Sequence, residues 1–157
     1  QRILSWKDIG LAMAGTVAYA LVTIVLLWAA SFLFAVNTSE AQDLGFSRLY
    51  GGELIGAFVV LVVLTPLFEE LLFRGFLYGR LKSTGLAWWG SALVVSVLFG
   101  LAHGQWNVGI DVFALSMVAC YLREITGSIW AGIVLHMIKN MVAFVLTFVL
   151  VAGVAGS

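Results

Sequence analysis

Residues 54–80 read LIGAFVVLVVLTPLFEELLFRGFLYGR, an apolar run with Glu69, Glu70 and Arg74 in its middle. A helix needs about 20 residues to cross the roughly 30 Å hydrocarbon core of a bilayer, and this run is longer. A charged side chain at the bilayer centre costs at least about 2.5–3.5 kcal/mol, so it usually marks a functional site. The stretch therefore predicts a membrane-spanning helix that carries a polar site.

The composition of the whole chain agrees with a membrane protein. Of its 157 residues, 62% are hydrophobic and 10% are charged, whereas a soluble domain is about 45–50% apolar and 25% charged. Eight basic residues balance eight acidic ones, so no net positive charge favours binding of nucleic acid. The single cysteine, Cys120, excludes an intramolecular disulfide and a multi-cysteine zinc site, and we interpret it as a packing residue.

Four further apolar runs lie on either side of the central one. The first is too long for a cleaved secretory signal and predicts a transmembrane helix, followed by a polar loop outside the membrane. These segments are the first run Ile9–Val36, the loop Asn37–Glu53, and the later runs Trp88–His103, Val108–Tyr121 and Ser128–Val151. Together they predict an all-α, polytopic membrane bundle of about five transmembrane helices, with residues 1–157 forming one transmembrane domain.

The basic residues predict the orientation. Five crossings would place all of the following on one side of the membrane: Arg2, Lys7, Arg80, Lys82 and Arg123. Basic loops favour the cytoplasmic side, so we expect the N-terminus in the cytoplasm.

The three charges of the central run differ in their local partners. Glu70 and Arg74 lie four residues apart, which brings a carboxylate and a guanidinium together on one helix face. Glu69 lies about 100° around the same helix, away from that pair. The carboxylate of Glu69 is therefore the one left free for chemistry.

Both histidines of the chain lie in apolar runs. His136 and Asn140 are four residues apart, so two hydrogen-bonding side chains share one face of the fifth helix. Phe99 and His103 have the same spacing, which places an aromatic ring beside the imidazole. Counting residues along each helix predicts that Glu69 and the two histidines meet near mid-membrane.

Three motifs then occur in a fixed order: E-E-x-x-x-R from Glu69 to Arg74, F-x-x-x-H from Phe99 to His103, and H-x-x-x-N from His136 to Asn140. This ordered set resembles the CPBP family, which contains the type II CAAX prenyl endopeptidases and the bacteriocin-processing or self-immunity membrane proteins. The resemblance covers roughly residues 61–145.

The resemblance implies an intramembrane glutamic endopeptidase. In that assignment Glu69 and His103 activate water, while His136 and Asn140 stabilise the oxyanion. The supporting pair Glu70 and Arg74 holds Glu69 in place, with no cofactor and no metal. The implied partners are the lipid bilayer and a peptide or protein substrate, lipidated or not.

The same residues are compatible with other functions. The chain could be a non-enzymatic immunity or scaffold protein, or a proton-coupled transporter that uses Glu69, His103 and His136 as a relay. A zinc metalloprotease is a further alternative, since two histidines and a glutamate form a known ligand set. Zinc proteases usually take both histidines from H-E-x-x-H on one helix, which differs from the arrangement here. The fourth helix, with Asp111 near its start, is expected to shape the substrate cleft.

Overall fold

The computed structural model describes residues 3–34, 49 and 51–150. Most of the loop predicted at 37–53, and residue 151 of the fifth run, lie outside the described residues. The described part contains five helices and no strand, which confirms the predicted all-α fold. The helices are α1 Trp6–Phe34, α2 Gly52–Ser83, α3 Trp88–Leu101, α4 Trp106–Thr126 and α5 Trp130–Phe144, which continues as a π-helical segment Val145–Leu150.

Three of these helices have the length and composition to cross a membrane: α1, α2 and the fifth helix over Trp130–Phe148. Helix α3 is apolar but has 14 residues, or about 21 Å of helix, which is shorter than the hydrocarbon core. Helix α4 has 21 residues and carries Asp111, Arg123 and Glu124. The polytopic bundle is therefore built on three long spans, with α3 and α4 packed among them.

Large apolar side chains cover the outside of the bundle. Those exposed on α1 include Val17, Leu21, Ile24, Trp28 and Phe32. A water-soluble monomer rarely exposes apolar surface on this scale, so the surface faces lipid.

The core lies where α1, α3, α4 and α5 meet. Its buried side chains include Ala12, Phe99, Leu115 and Leu135. Helices α3 and α4 cross very closely, because a Cβ built on Gly100 would lie 2.8 Å from the carbonyl oxygen of Gly109. Glycine at both positions allows the two helix backbones to approach this closely.

Left-handed glycines end the two central helices. Gly104 (φ 70°) follows the end of α3 and Gly127 (φ 67°) caps α4. Only glycine adopts this conformation without a steric penalty, so the chain reverses at both points. His103 is thereby placed at the end of α3.

Helix α2 contains two π-helical segments, Val59–Leu64 and Leu71–Leu77. The α-helical segment between them, Thr65–Glu70, ends on the paired glutamates. π-Helical segments inside α-helices occur frequently at functional sites.

Candidate active site

The ion pair predicted within α2 is present. Nη1 of Arg74 lies 2.9 Å from Oε1 of Glu70, and both side chains are fully buried. None of the N–H groups of Arg74 forms a hydrogen bond of acceptable geometry with a described residue. The guanidinium is therefore held by electrostatic attraction to the Glu70 carboxylate. The Cζ atom of Arg74 also lies 4.6 Å from the centre of the Phe99 ring, which is a cation–π contact.

His136 lies between the two glutamates. Its Nδ1 donates to Oε1 of Glu70 at 3.2 Å, and its Nε2 faces Oε2 of Glu69 at 3.6 Å. The second distance is too long for a hydrogen bond. The side chain of Glu69 is 28% exposed, whereas Glu70 is fully buried. Two consecutive glutamates on α2 thus meet the same imidazole of α5 but differ in access.

Helix α5 makes room for the Glu70 carboxylate at Gly132. A Cβ built on that glycine would lie 2.8 Å from Oε2 of Glu70. This oxygen is buried and accepts no hydrogen bond from any described residue. Glycine at position 132 therefore allows the carboxylate to approach α5 and to reach His136.

His103 follows the end of α3 and shares an aromatic neighbour with His136. Its Nδ1 donates to the carbonyl oxygen of Phe99 at 2.8 Å. The Phe99 ring contacts both imidazoles, with centroid distances of 5.0 Å to His103 and 5.9 Å to His136. The aromatic contact predicted for Phe99 and His103 is confirmed. The Phe99 ring is the neighbour that the two imidazoles share, and among the described residues no hydrogen bond or ion pair joins His103 to Glu69.

Asn140 contacts α2 one turn beyond His136. Its Nδ2 donates to the carbonyl oxygen of Leu61 at 2.8 Å. This carbonyl is available because the π register directs the N–H of Thr65 to Val60, and the next residue, Pro66, has no N–H. A buried carbonyl needs a donor, and the asparagine amide supplies it.

The role of Glu70 and Arg74 in holding Glu69 in place stays a prediction. The carboxylate of Glu70 also contacts His136. The pair thus connects α2 to α5.

One charged residue beside the site, Lys139, was not predicted from the sequence. Lys139 lies between His136 and Asn140, and its ammonium is 3.4 Å from Oδ2 of Asp111. The sequence does indicate such a pair, because Lys139 lies inside the apolar run that contains His136. A charged side chain within the membrane needs a partner.

The described residues contain no group of three His, Cys, Asp or Glu side chains that could hold a metal ion. The expectation of a metal-free site stays a prediction.

These features define a class: a helical membrane protein with a partly accessible glutamate, two histidines and a buried ion pair. The family model described as type II CAAX prenyl endopeptidase Rce1-like matches residues 51–142. The chain therefore belongs to this family, which lies within the CPBP group that the motifs resemble.

Two bacterial relatives are similar to the chain. The uncharacterized protein YyaK of Bacillus subtilis (strain 168) is 30% identical over an alignment of 149 residues that covers 88% of this chain and 47% of YyaK. An uncharacterized 24.3 kDa protein of Escherichia coli is 30% identical over 90 residues, covering 54% of this chain and 41% of that protein. The chain thus spans less than half the length of either relative. No solved structure matches it.

Proposed function

We propose that the protein is an intramembrane endopeptidase that hydrolyses a peptide bond with water activated by Glu69 and His103. Membership of the Rce1-like family supports peptidase activity at the family level. The observation that carries the proposal is the difference between the environments of the two glutamates. Glu70 is fully buried in an ion pair, while Glu69 is 28% exposed beside His136. A general base must reach the water from which it takes a proton, and Glu69 meets that condition.

The hydrogen bond of His103 supports its role next to Glu69. A carbonyl oxygen only accepts, so Nδ1 of His103 carries the proton that it donates to Phe99. In the neutral ring Nε2 is then the basic nitrogen, available to orient or deprotonate water. His103 is partly exposed, so water can approach this nitrogen.

His136 and Asn140 are proposed to stabilise the oxyanion. Because Nδ1 of His136 donates to Glu70, a proton on Nε2 would make the ring a cationic donor directed toward Glu69. The Nδ2 group of Asn140 has a second hydrogen besides the one given to Leu61. Fixed donors of this kind gain strength where water is excluded.

The reaction follows from these roles. Glu69 accepts a proton from water, and the water oxygen bonds to the carbonyl carbon of the substrate. The carbonyl oxygen becomes an oxyanion beside His136 and Asn140. Glu69 then returns the proton to the amide nitrogen as the C–N bond breaks, which leaves one carboxylic acid and one amine. The substrate class is a peptide or protein, lipidated or not, that enters from the cytoplasm or laterally from lipid.

The test is hydrolysis of a quenched fluorescent peptide library by purified protein in detergent. Glu69→Gln preserves the shape of the side chain and should lower kcat by about 10²–10⁴-fold, the usual loss for a general base. Glu53→Gln is the matched control, because Glu53 is exposed on the same helix, far along the chain from the site. Activity of Glu69→Gln within about tenfold of Glu53→Gln would contradict the proposal, and so would a wild-type protein that cuts nothing in the library or in a whole proteome.

The proposed orientation has the N-terminus in the cytoplasm. Thr84 is exposed directly after α2, and the native Cys120 is buried. In intact cells a Thr84→Cys variant should therefore react with an impermeant maleimide only after the cytoplasmic side is opened. Labelling from outside would reverse the topology.

A further inference from the structure

A second polar group lies inside the bundle, on the α4 side of α5. Lys139 of α5 pairs with Oδ2 of Asp111 of α4 at 3.4 Å, and the Tyr19 hydroxyl of α1 donates to Oδ1 of the same carboxylate. Thr23, one turn along α1, donates to Oδ1 at 3.4 Å. The side chains of the ion pair are 16% and 21% exposed. We call Tyr19, Asp111 and Lys139 the polar clamp.

The polar clamp acts on the helical turn that carries the site residues. Lys139 directly precedes Asn140 and follows His136 by three residues. His136 and Asn140 both contact α2, whereas Lys139 contacts α4. Successive helical residues point about 100° apart, so these contacts hold one turn of α5 from two sides. The rotation of that turn then depends on both sets of contacts.

We propose that the polar clamp is a positioning device, through which α1 sets the orientation of His136 and Asn140. The three residues touch no reacting atom, and their effect passes through the backbone of α5. In an apolar setting the ion pair and the hydroxyl find no alternative partners in water, so the arrangement of the three side chains is specific.

Tyr19 and Thr23 lie on α1, outside the matched residues 51–142. A helix outside that segment therefore takes part in building the site. The effect on kcat rests on the proposed function, but the orientation of His136 can be measured without any substrate.

The substrate-free test uses the imidazole ¹⁵N resonances of the protein in detergent micelles. The chain has two histidines, so His103→Gln assigns both. Tyr19→Phe removes only the hydroxyl and should shift the His136 resonances. Tyr121→Phe is the matched control, because Tyr121 is exposed on α4, and it should leave them in place. Lys139→Arg keeps the charge and should resemble the wild type, while Lys139→Met should show the largest shift.

The catalytic test measures kcat and KM separately. Tyr19→Phe should lower kcat by about threefold to tenfold, the effect of one interhelical hydrogen bond in a membrane, with KM unchanged. Combined with Lys139→Met, it should lower kcat by less than the product of the single effects, because both act through Asp111. If Tyr19→Phe leaves the His136 resonances as unshifted as Tyr121→Phe does, the positioning role is wrong. A shift of these resonances in a protein without peptidase activity would support the clamp and reject the proposed function alone.

Discussion

Two ion pairs formed by helix α2 have almost the same N···O distance and very different surroundings. Glu70 and Arg74 are 2.9 Å apart and fully buried, whereas Lys82 and Glu124 are 3.0 Å apart with both side chains 33% exposed. The inner pair contacts His136 of the candidate site, while the outer pair ties the end of α2 to the end of α4. Burial, and not distance, decides how much each pair contributes to stability, because water screens the charges of the outer pair and not those of the inner pair.

The largest effect is expected from breaking the inner pair. Glu70→Gln leaves Arg74 as an unpaired buried cation, which should lower the free energy of unfolding by about 3–5 kcal/mol. Denaturation in mixed micelles measures this, with Glu53→Gln as the control. Adding Arg74→Met should recover part of the loss, since the uncompensated charge is then gone. Equal stability of Glu70→Gln and Glu53→Gln would show that the inner pair is no stronger than a surface pair.

A smaller effect is expected from crowding the inner pair without removing it. Gly132→Ala places a Cβ 2.8 Å from Oε2 of Glu70, and overpacking of this kind costs about 1–3 kcal/mol. The displaced carboxylate should also lower kcat through His136. Gly79→Ala, near the outer pair, meets nothing within 4 Å and should be neutral or stabilising by up to about 1 kcal/mol. Similar stabilities for the two variants would contradict the tight approach at Gly132.

The outer pair should contribute little and depend on pH and salt. The Tyr78 hydroxyl, and next the Lys82 ammonium, hold the pKa of Glu124 below its ordinary value; Glu124 lies outside the three long spans. The charged form of Glu124 therefore stabilises the fold above the unfolded-state pKa of this residue. The stabilisation is lost as the pH falls through its folded-state pKa. Lys82→Met should therefore cost about 0.2–1 kcal/mol at neutral pH and low salt. The difference from wild type should shrink in acid and at high salt; a constant difference would argue against a charge effect.

No effect at all is expected from removing metals. The carboxylate of Glu70 is occupied by Arg74 and His136, which leaves Glu69 as the accessible acid. Chelator-treated protein should keep its turnover and its melting temperature, with elemental analysis of the same sample as the check. Activity that disappears on chelation and returns with zinc would move the mechanism to the metal-hydrolase class.

Local spacing was enough to predict several parts of the site. Glu70 and Arg74 are four residues apart in the sequence, and so are Phe99 and His103. Helix geometry brings side chains at this spacing together. The partner of His136 could not be predicted in this way, because Glu70 lies 66 positions away. The same holds for Asn140, whose acceptor exists only because α2 adopts a π register before Pro66.

The sequence by itself determined the membrane environment, the five helices and the unusual charges within them, because each depends on composition or on the local period of a helix. Only the tertiary structure decided which glutamate is buried, that His136 lies between both glutamates, and that Lys139 pairs with Asp111. These contacts join residues on different helices. Their formation depends on the rotation and crossing of whole helices, which close approaches such as that of Gly100 to Gly109 determine.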